Sequence, residues 1–290
     1  MRGELGNVLW RNMRHAYGAA DDMPSVLSDV SSLNSVTRHL AYDRLCSSLV
    51  HQGTRYAATL SSIPYVAALV ENERTPDRDR LIYYLVAAAI GCEDDHLCAG
   101  FSRDGYKRQL REQASKRKRV NESALDYGPS VYLSCYQSVE QLAPLFVKLL
   151  HDTGVAVRIA AAYAISWTPG KGCQSSKRLG QLGLSEMTER ESANCLVAYG
   201  LATLHSQCHC SVNRLKWALR SGSQLVRVAG AIAIAPHDWD ANVHMILVEA
   251  SEDDSLSQLY PEFVFKGGDL QRLSQIWLSR FAGGGEGTRK

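Results

Sequence analysis

The run Val155-Ala-Val-Arg158-Ile-Ala-Ala-Ala-Tyr-Ala-Ile165 sets a single arginine in an Ala-rich, almost wholly apolar stretch, and weaker copies of it recur along the chain. Aligned on the arginine, the copies lie at Arg38, Arg80, Arg158 and Arg227, with Asn194 at the same position in a fifth. The surrounding apolar positions agree: Leu40, Ala41 and Leu45; Ile82, Tyr83 and Ala87; Ala160, Ala161 and Ile165; Leu196, Val197 and Leu201; Ala229, Gly230 and Ile234. Offsets of two, three and seven residues fall on one stripe of a helix. The Ala and Gly members let a neighbouring helix approach closely.

Three of the anchors follow a proline-led segment. Pro24-Ser-Val26-Leu27, Pro64-Tyr-Val66-Ala67 and Pro144-Leu-Phe146-Val147 precede Arg38, Arg80 and Arg158 by 14 to 16 residues. Proline in the first turn costs no hydrogen bond, because those amides have no intrahelical partner. Two helices per unit, at a period of roughly 33–42 residues, predict an all-α fold: an α-solenoid of stacked antiparallel helix pairs. Residues 2–16 read as a first helix, with Leu5, Val8, Leu9 and Met13 on one side and Gly18 ending it, and Asp21 and Asp22 read as caps of the next. Residues 1–290 are expected to form one array. Within it, 92–128 is a charged irregular insertion with some helix, 236–282 holds capping helices at Asp238–Ala250 and Leu270–Phe281, and 283–290 is a flexible tail.

The segments HAYGAADDMPSVL (15–27), LVHQGTRYAATLSSIPYVAALV (49–70) and DTGVAVRIAAAYAI (152–165) resemble the bacterial and fungal HEAT-repeat proteins described as having phycobilisome-lyase-like HEAT repeats. The resemblance spans most of residues 10–235. It implies the solenoid fold and leaves activity open, since that group includes both scaffolds and lyases. The chain departs from the pattern at Asn194 and in its last 50 residues.

Composition excludes little. The chain has 290 residues, 45% hydrophobic and 21% charged, with net charge +2, so nucleic-acid or membrane-surface binding must rest on a local patch. The first 18 residues show no secretory signal, and no apolar run reaches the roughly 18 residues of a membrane span. Eight scattered cysteines, Cys46, Cys135 and Cys195 among them in apolar helical patterns, are read as reduced thiols of a cytoplasmic protein.

Three clusters could carry chemistry. From Arg103 to Arg119 the cations Arg103, Lys107, Arg108, Arg111, Lys116, Arg117, Lys118 and Arg119 face only Asp104 and Glu112, an excess of six charges. Such a run neutralises phosphates or simply keeps a loop solvated, and Tyr106 is its only aromatic residue. His205, Cys208, His209 and Cys210 fall within six residues, but a zinc site needs a second ligand pair, for which Cys92, His96 and Cys98 are distant candidates. In His51-Gln52-Gly53-Thr54-Arg55-Tyr56, Gly53 can end a helix, His51 can bond its last carbonyls and Thr54 can cap the next. The functional alternative turns His51, Gln52 and Tyr56, with His15 and Tyr17, into a groove as acid–base or ligand-holding groups. Gly170-Lys171-Gly172 lacks the strand and helix of a phosphate loop, and Asp94 with Asp95 reads as a surface charge run. No cofactor and no metal is expected.

The leading expectation is an interaction scaffold that binds a protein or peptide partner on a concave face built by the second helices. The alternative is a lyase, an isomerase or a biosynthetic accessory enzyme that uses the His and Tyr groups. Third is nucleic-acid binding through 103–119. No membrane partner is expected.

Overall fold

The computed structural model describes residues 8–116, 126–170, 174–206, 212–257 and 263–282, which are predominantly helical, with two short hairpins. Contacts divide the chain into two compact units, residues 1–96 with 101–145, and residues 97–100 with 146–290.

Among the described residues the first unit opens with a 3-10 turn, Trp10–Asn12, followed by strands β1 (Arg14–His15) and β2 (Gly18–Ala19). The helix expected over 2–16 is therefore absent from its described part, 8–16. Trp10 is buried while Leu9 is exposed, so the anticipated apolar stripe is not the face that packs. The backbone bonds elsewhere: Ala20 N–H donates to Met13 O at 3.0 Å and Ala16 N–H to Ser48 O at 3.0 Å. Gly18, with φ of 133°, serves a hairpin and not a helix end.

Next come α1 (Met23–Asp29), α2 (Ser35–Leu49), β3 (Val50–His51), β4 (Thr54–Arg55), α3 (Ala57–Glu71), α4 (Arg78–Ile90), α5 (Arg103–Lys116) and α6 (Pro129–Glu140). Asn34 starts α2 by accepting Thr37 N–H at 3.0 Å. Between α2 and α3 the chain makes a second hairpin. Its two turn residues, Gln52 and Gly53, both have positive φ, 48° and 79°, the conformation that matches strand twist in a two-residue turn. Gly53 is thus a turn residue, and the start of α3 is held by Thr59, whose Oγ1 accepts Tyr56 N–H at 2.8 Å, and not by Thr54. Because α3 begins at this hairpin, Pro64 lies in its interior, whereas Pro24 and Pro144 sit in first turns. Helix α3 packs on α4, both pack on α6, and α5 packs on α6. The segment expected to be a charged irregular insertion with some helix holds α5 over Arg103–Lys116; residues 117–125 lie outside the described range.

Helix α7 (Ala143–Leu149) carries the boundary between units. The second unit holds α8 (Val155–Trp167), α9 (Gln174–Gly180), α10 (Glu189–His205), α11 (Gln224–Ile234), α12 (Ala241–Glu252) and α13 (Leu270–Phe281). The last two lie where helices were expected at 238–250 and 270–281. Helix α10 packs against both α8 and α11, and α12 against α11 and α13. Every residue from Glu191 to Thr203 is buried. The close approach depends on glycine: a Cβ at Gly200 would lie 2.5 Å from Ala233 Cα, and one at Gly230 would lie 2.6 Å from Ala218 Cβ. The expected stripe is buried throughout α8, α10 and α11. In α2 it is broken, with Ala41 and Leu45 buried but Leu40 65% exposed.

Candidate functional site

The anchor arginines repeat one geometry. Arg38, Arg158 and Arg227 each lie four residues after a helix N-cap, and each turns Nη1 back to the carbonyls six and five residues earlier. The distances are 2.7 and 3.4 Å for Arg38 to Ser32 and Leu33, 2.8 and 3.2 Å for Arg158 to Asp152 and Thr153, and 2.7 and 3.1 Å for Arg227 to Ser221 and Gly222. The guanidinium thereby fixes the loop that leads into the helix. Two of them also reach the start of a later helix: Arg38 Nε donates to Asp77 at 2.6 Å, and Arg158 makes two bonds to the buried Glu191, at 2.5 and 2.9 Å. Burial acts against ionisation of Asp77, but the bond and charge of Arg38 together with the neighbouring His39 outweigh it and hold the carboxyl below its usual range. Arg80 departs from the pattern and lies 4.7 Å from the ring centre of Tyr42. Asn194 departs differently: Nδ2 donates to Arg190 O at 2.8 Å and Oδ1 accepts Val264 N–H at 3.0 Å.

The two hairpins bring His15, Tyr17 and His51 together. His15 is buried; its Nδ1 accepts Tyr17 N–H at 3.0 Å, so Nε2 carries the proton and donates to Asp22 Oδ1 at 2.9 Å. Arg44 donates to the other Asp22 oxygen through Nε at 3.2 Å and Nη2 at 3.1 Å. Burial opposes the Asp22 charge, yet the His15 and Arg44 bonds prevail and lower its pKa. Asp22 stands at the N-cap of α1 but makes no capping bond, because its carboxylate is committed to these partners. Asp22 and Arg44 are the members that sequence reasoning missed, since Asp22 read as a cap and no motif marked Arg44.

Tyr17 is 56% exposed, and its hydroxyl lies 3.4 Å from His51 Nδ1. Gln52 is the exposed turn residue of the second hairpin. Tyr56 stands at the N-cap of α3, edge-on to Tyr127 at 6.1 Å. Burial raises its phenol pKa, and the neighbouring phenols of Tyr132, Tyr127 and Tyr17 raise it further. The cluster can tie hairpin to helix through His15 and Asp22, and can offer a ligand the Tyr17 hydroxyl, the His51 ring and the outer side of Arg44.

On α5, Lys107, Arg108 and Arg111 are exposed, with Lys107 3.5 Å from Asp104. Arg103 is engaged by Glu140 and lies over the Tyr136 ring. Lys116 closes the helix; Arg117, Lys118 and Arg119 fall outside the described residues.

Cys208, His209 and Cys210 also fall outside them. His205 ends α10 with Nδ1 2.7 Å from Ser166 O and Nε2 3.2 Å from Leu97 O, and its ring packs on Trp167. His96 Nε2 lies 3.0 Å from Ile90 O. Among the described residues no group of three or more His, Cys, Asp or Glu side chains could hold a metal ion. Burial pushes the thiols of Cys46 up to about 11 and of Cys135 and Cys195 up to about 12, which keeps them protonated and unreactive near neutrality. Trp239, Asp240, Ala241, His244 and Ala282 line an open depression of about 330 Å³ in the second unit, unmarked by any motif. No helix among the described residues is long and apolar enough to cross a membrane. Compared with protein-family models, curated proteins and solved structures, the chain matches none.

Proposed function

We propose that the chain is a HEAT-like helical-repeat scaffold that binds a protein or peptide partner and catalyses no reaction. The observation that carries this reading is the recurrence of one helix-start clamp at Arg38, Arg158 and Arg227. A chain that re-uses one supersecondary unit builds extended surface and does not concentrate groups in one cavity. Because α8, α10 and α11 are buried by their own neighbours, the partner face falls on the remaining well-exposed second helix, α2. Val36 and Leu40, each 65% exposed, lie four residues apart on one face of α2, and Leu33, 89% exposed, stands in the loop just before it, an apolar patch that fits the apolar side of an amphipathic helix. The lyase or isomerase alternative needs His15 free to exchange protons, whereas both of its ring nitrogens are occupied.

Affinity purification with wild type and with the double variant Val36→Glu/Leu40→Glu tests the proposal. Wild type retains a stoichiometric partner, and the variant loses it with an unchanged melting temperature. Wild type that retains no protein, or a partner held equally by the variant, would sink it.

A further inference from the structure

We propose that the first unit carries a binding site for single-stranded nucleic acid, formed by a belt of tyrosines with cations at both ends. At one end Tyr17 meets His51 edge-on, with ring centres 5.5 Å apart, and Arg44 stands 5.3 Å from the Tyr17 ring centre. Tyr56 is the central link: a backbone bridge pairs it with Tyr127, it follows Arg55, whose guanidinium lies 4.0 Å from the Tyr132 ring centre, and His51 pairs with Thr54 two residues before it. Tyr127, 52% exposed, meets it at 6.1 Å. Tyr132 meets Tyr106 edge-on at 5.9 Å. Tyr106 lies on α5, which displays Lys107, Arg108 and Arg111 at the other end of the belt. The single aromatic residue of the basic run is thus joined by four more from other elements.

The chemistry favours an unpaired polynucleotide. Aromatic faces stack with any unstacked base, and a duplex buries its base faces. Phosphates suit the cations at the two ends. Asp22 already has His15 and Arg44 as partners, and α5 exposes Lys107, Arg108 and Arg111. Tyrosine and arginine also mark protein interfaces, but an apolar partner would have to desolvate the α5 cations without compensation. Arg55 takes no part in phosphate binding, because its buried guanidinium lies under the Tyr132 ring and bonds Gly53 O. The inference stands apart from the scaffold proposal, as Val36 and Leu40 are not in the belt.

Fluorescence anisotropy of the full chain with labelled oligouridylate, across a salt series, tests it. Tyr17→Ala/Tyr127→Ala removes two exposed rings and is expected to weaken binding about tenfold or more with the salt slope unchanged. Lys107→Glu/Arg108→Glu/Arg111→Glu is expected to weaken binding and lower the slope of log K against log salt by about 2, at roughly 0.7 per phosphate contact. Circular dichroism melts verify folding, and Tyr127→Ala alone, at a half-exposed ring that meets Tyr56 edge-on, serves if the double variant is unstable. Absence of oligouridylate binding, wild-type affinity in the tyrosine variants, or equal competition by duplex RNA or polyglutamate would overturn the proposal. A protein partner whose capture needs Tyr17 and Tyr127 and is indifferent to oligouridylate would also overturn it.

Discussion

Arg158 and Arg227 make the same pair of bonds to the loop behind them, and what lies beyond that loop separates their energetics. Arg158 also neutralises Glu191, which is only 3% exposed, so Arg158→Ala strands a buried carboxylate. Losing one partner of such a pair costs about 3–5 kcal/mol, whereas the Arg227 clamp uses neutral carbonyls and its loss should cost about 1–2 kcal/mol. Urea unfolding of the two variants measures the difference, and equal costs would mean that Glu191 finds another partner. Asp77 adds a pH signature. Its folded pKa is held below the ordinary 3.8, so the Arg38–Asp77 tie contributes above that value and is lost as pH falls through the lower, folded pKa. Asp77→Asn should therefore cost roughly 0.5–1 kcal/mol at neutral pH, a figure reduced by solvent screening, and progressively less as acid protonates the carboxyl. Parallel urea titrations at pH 7 and pH 3 read the sign directly.

Among the elements, the α10–α11 contact makes the sharpest claim. Glycine inside a helix is normally about 1 kcal/mol worse than alanine. At Gly200 that preference should reverse, since an added Cβ meets the backbone of Ala233, and overpacking of this kind costs about 1–3 kcal/mol. Gly200→Ala should lower the melting temperature, and stabilisation would show that the helices can separate freely. Gly230→Ala faces the Ala218 Cβ instead, a side chain on a single 3-10 turn, and should cost less. These elements were legible in sequence where one face had to be buried: α8, α10 and α11 follow their Ala- and Gly-bearing stripe. The pattern misled where backbone bonding decided the structure. The apolar periodicity of Leu5, Val8, Leu9 and Met13 gave no sign that residues 14–19 would pair as a hairpin, and proline spacing suggested a helix start at Pro64 although the chain had turned helical seven residues earlier.

At the scale of the whole chain, candidate groups were easier to find than their companions. His15, Tyr17 and His51 stood out as residue types, but Arg44 and Tyr127 come from distant positions that only tertiary folding brings beside them, and Asp22, seven residues after His15, reads in sequence as a helix cap. Local pattern reports which face of an element is apolar and carries no information about which polar group will sit across from it. The distribution of burial, in turn, sets where the chain resists opening. Amides exchange through local openings wherever few apolar contacts must break, and through global unfolding where a helix is enclosed. Glu191–Thr203 is enclosed on every side, while α5 rests on α6 and exposes Lys107, Arg108 and Arg111. Hydrogen exchange should therefore be slowest in α10 and its neighbours α8 and α11, and faster by orders of magnitude in α5 and in the hairpins at 14–19 and 50–55. Arg158→Ala should then lower protection uniformly along Glu191–Thr203, because those amides open only together. A loss confined to the first turn of α10 would show that the buried helix frays from its end and that the Arg158–Glu191 tie guards that end alone.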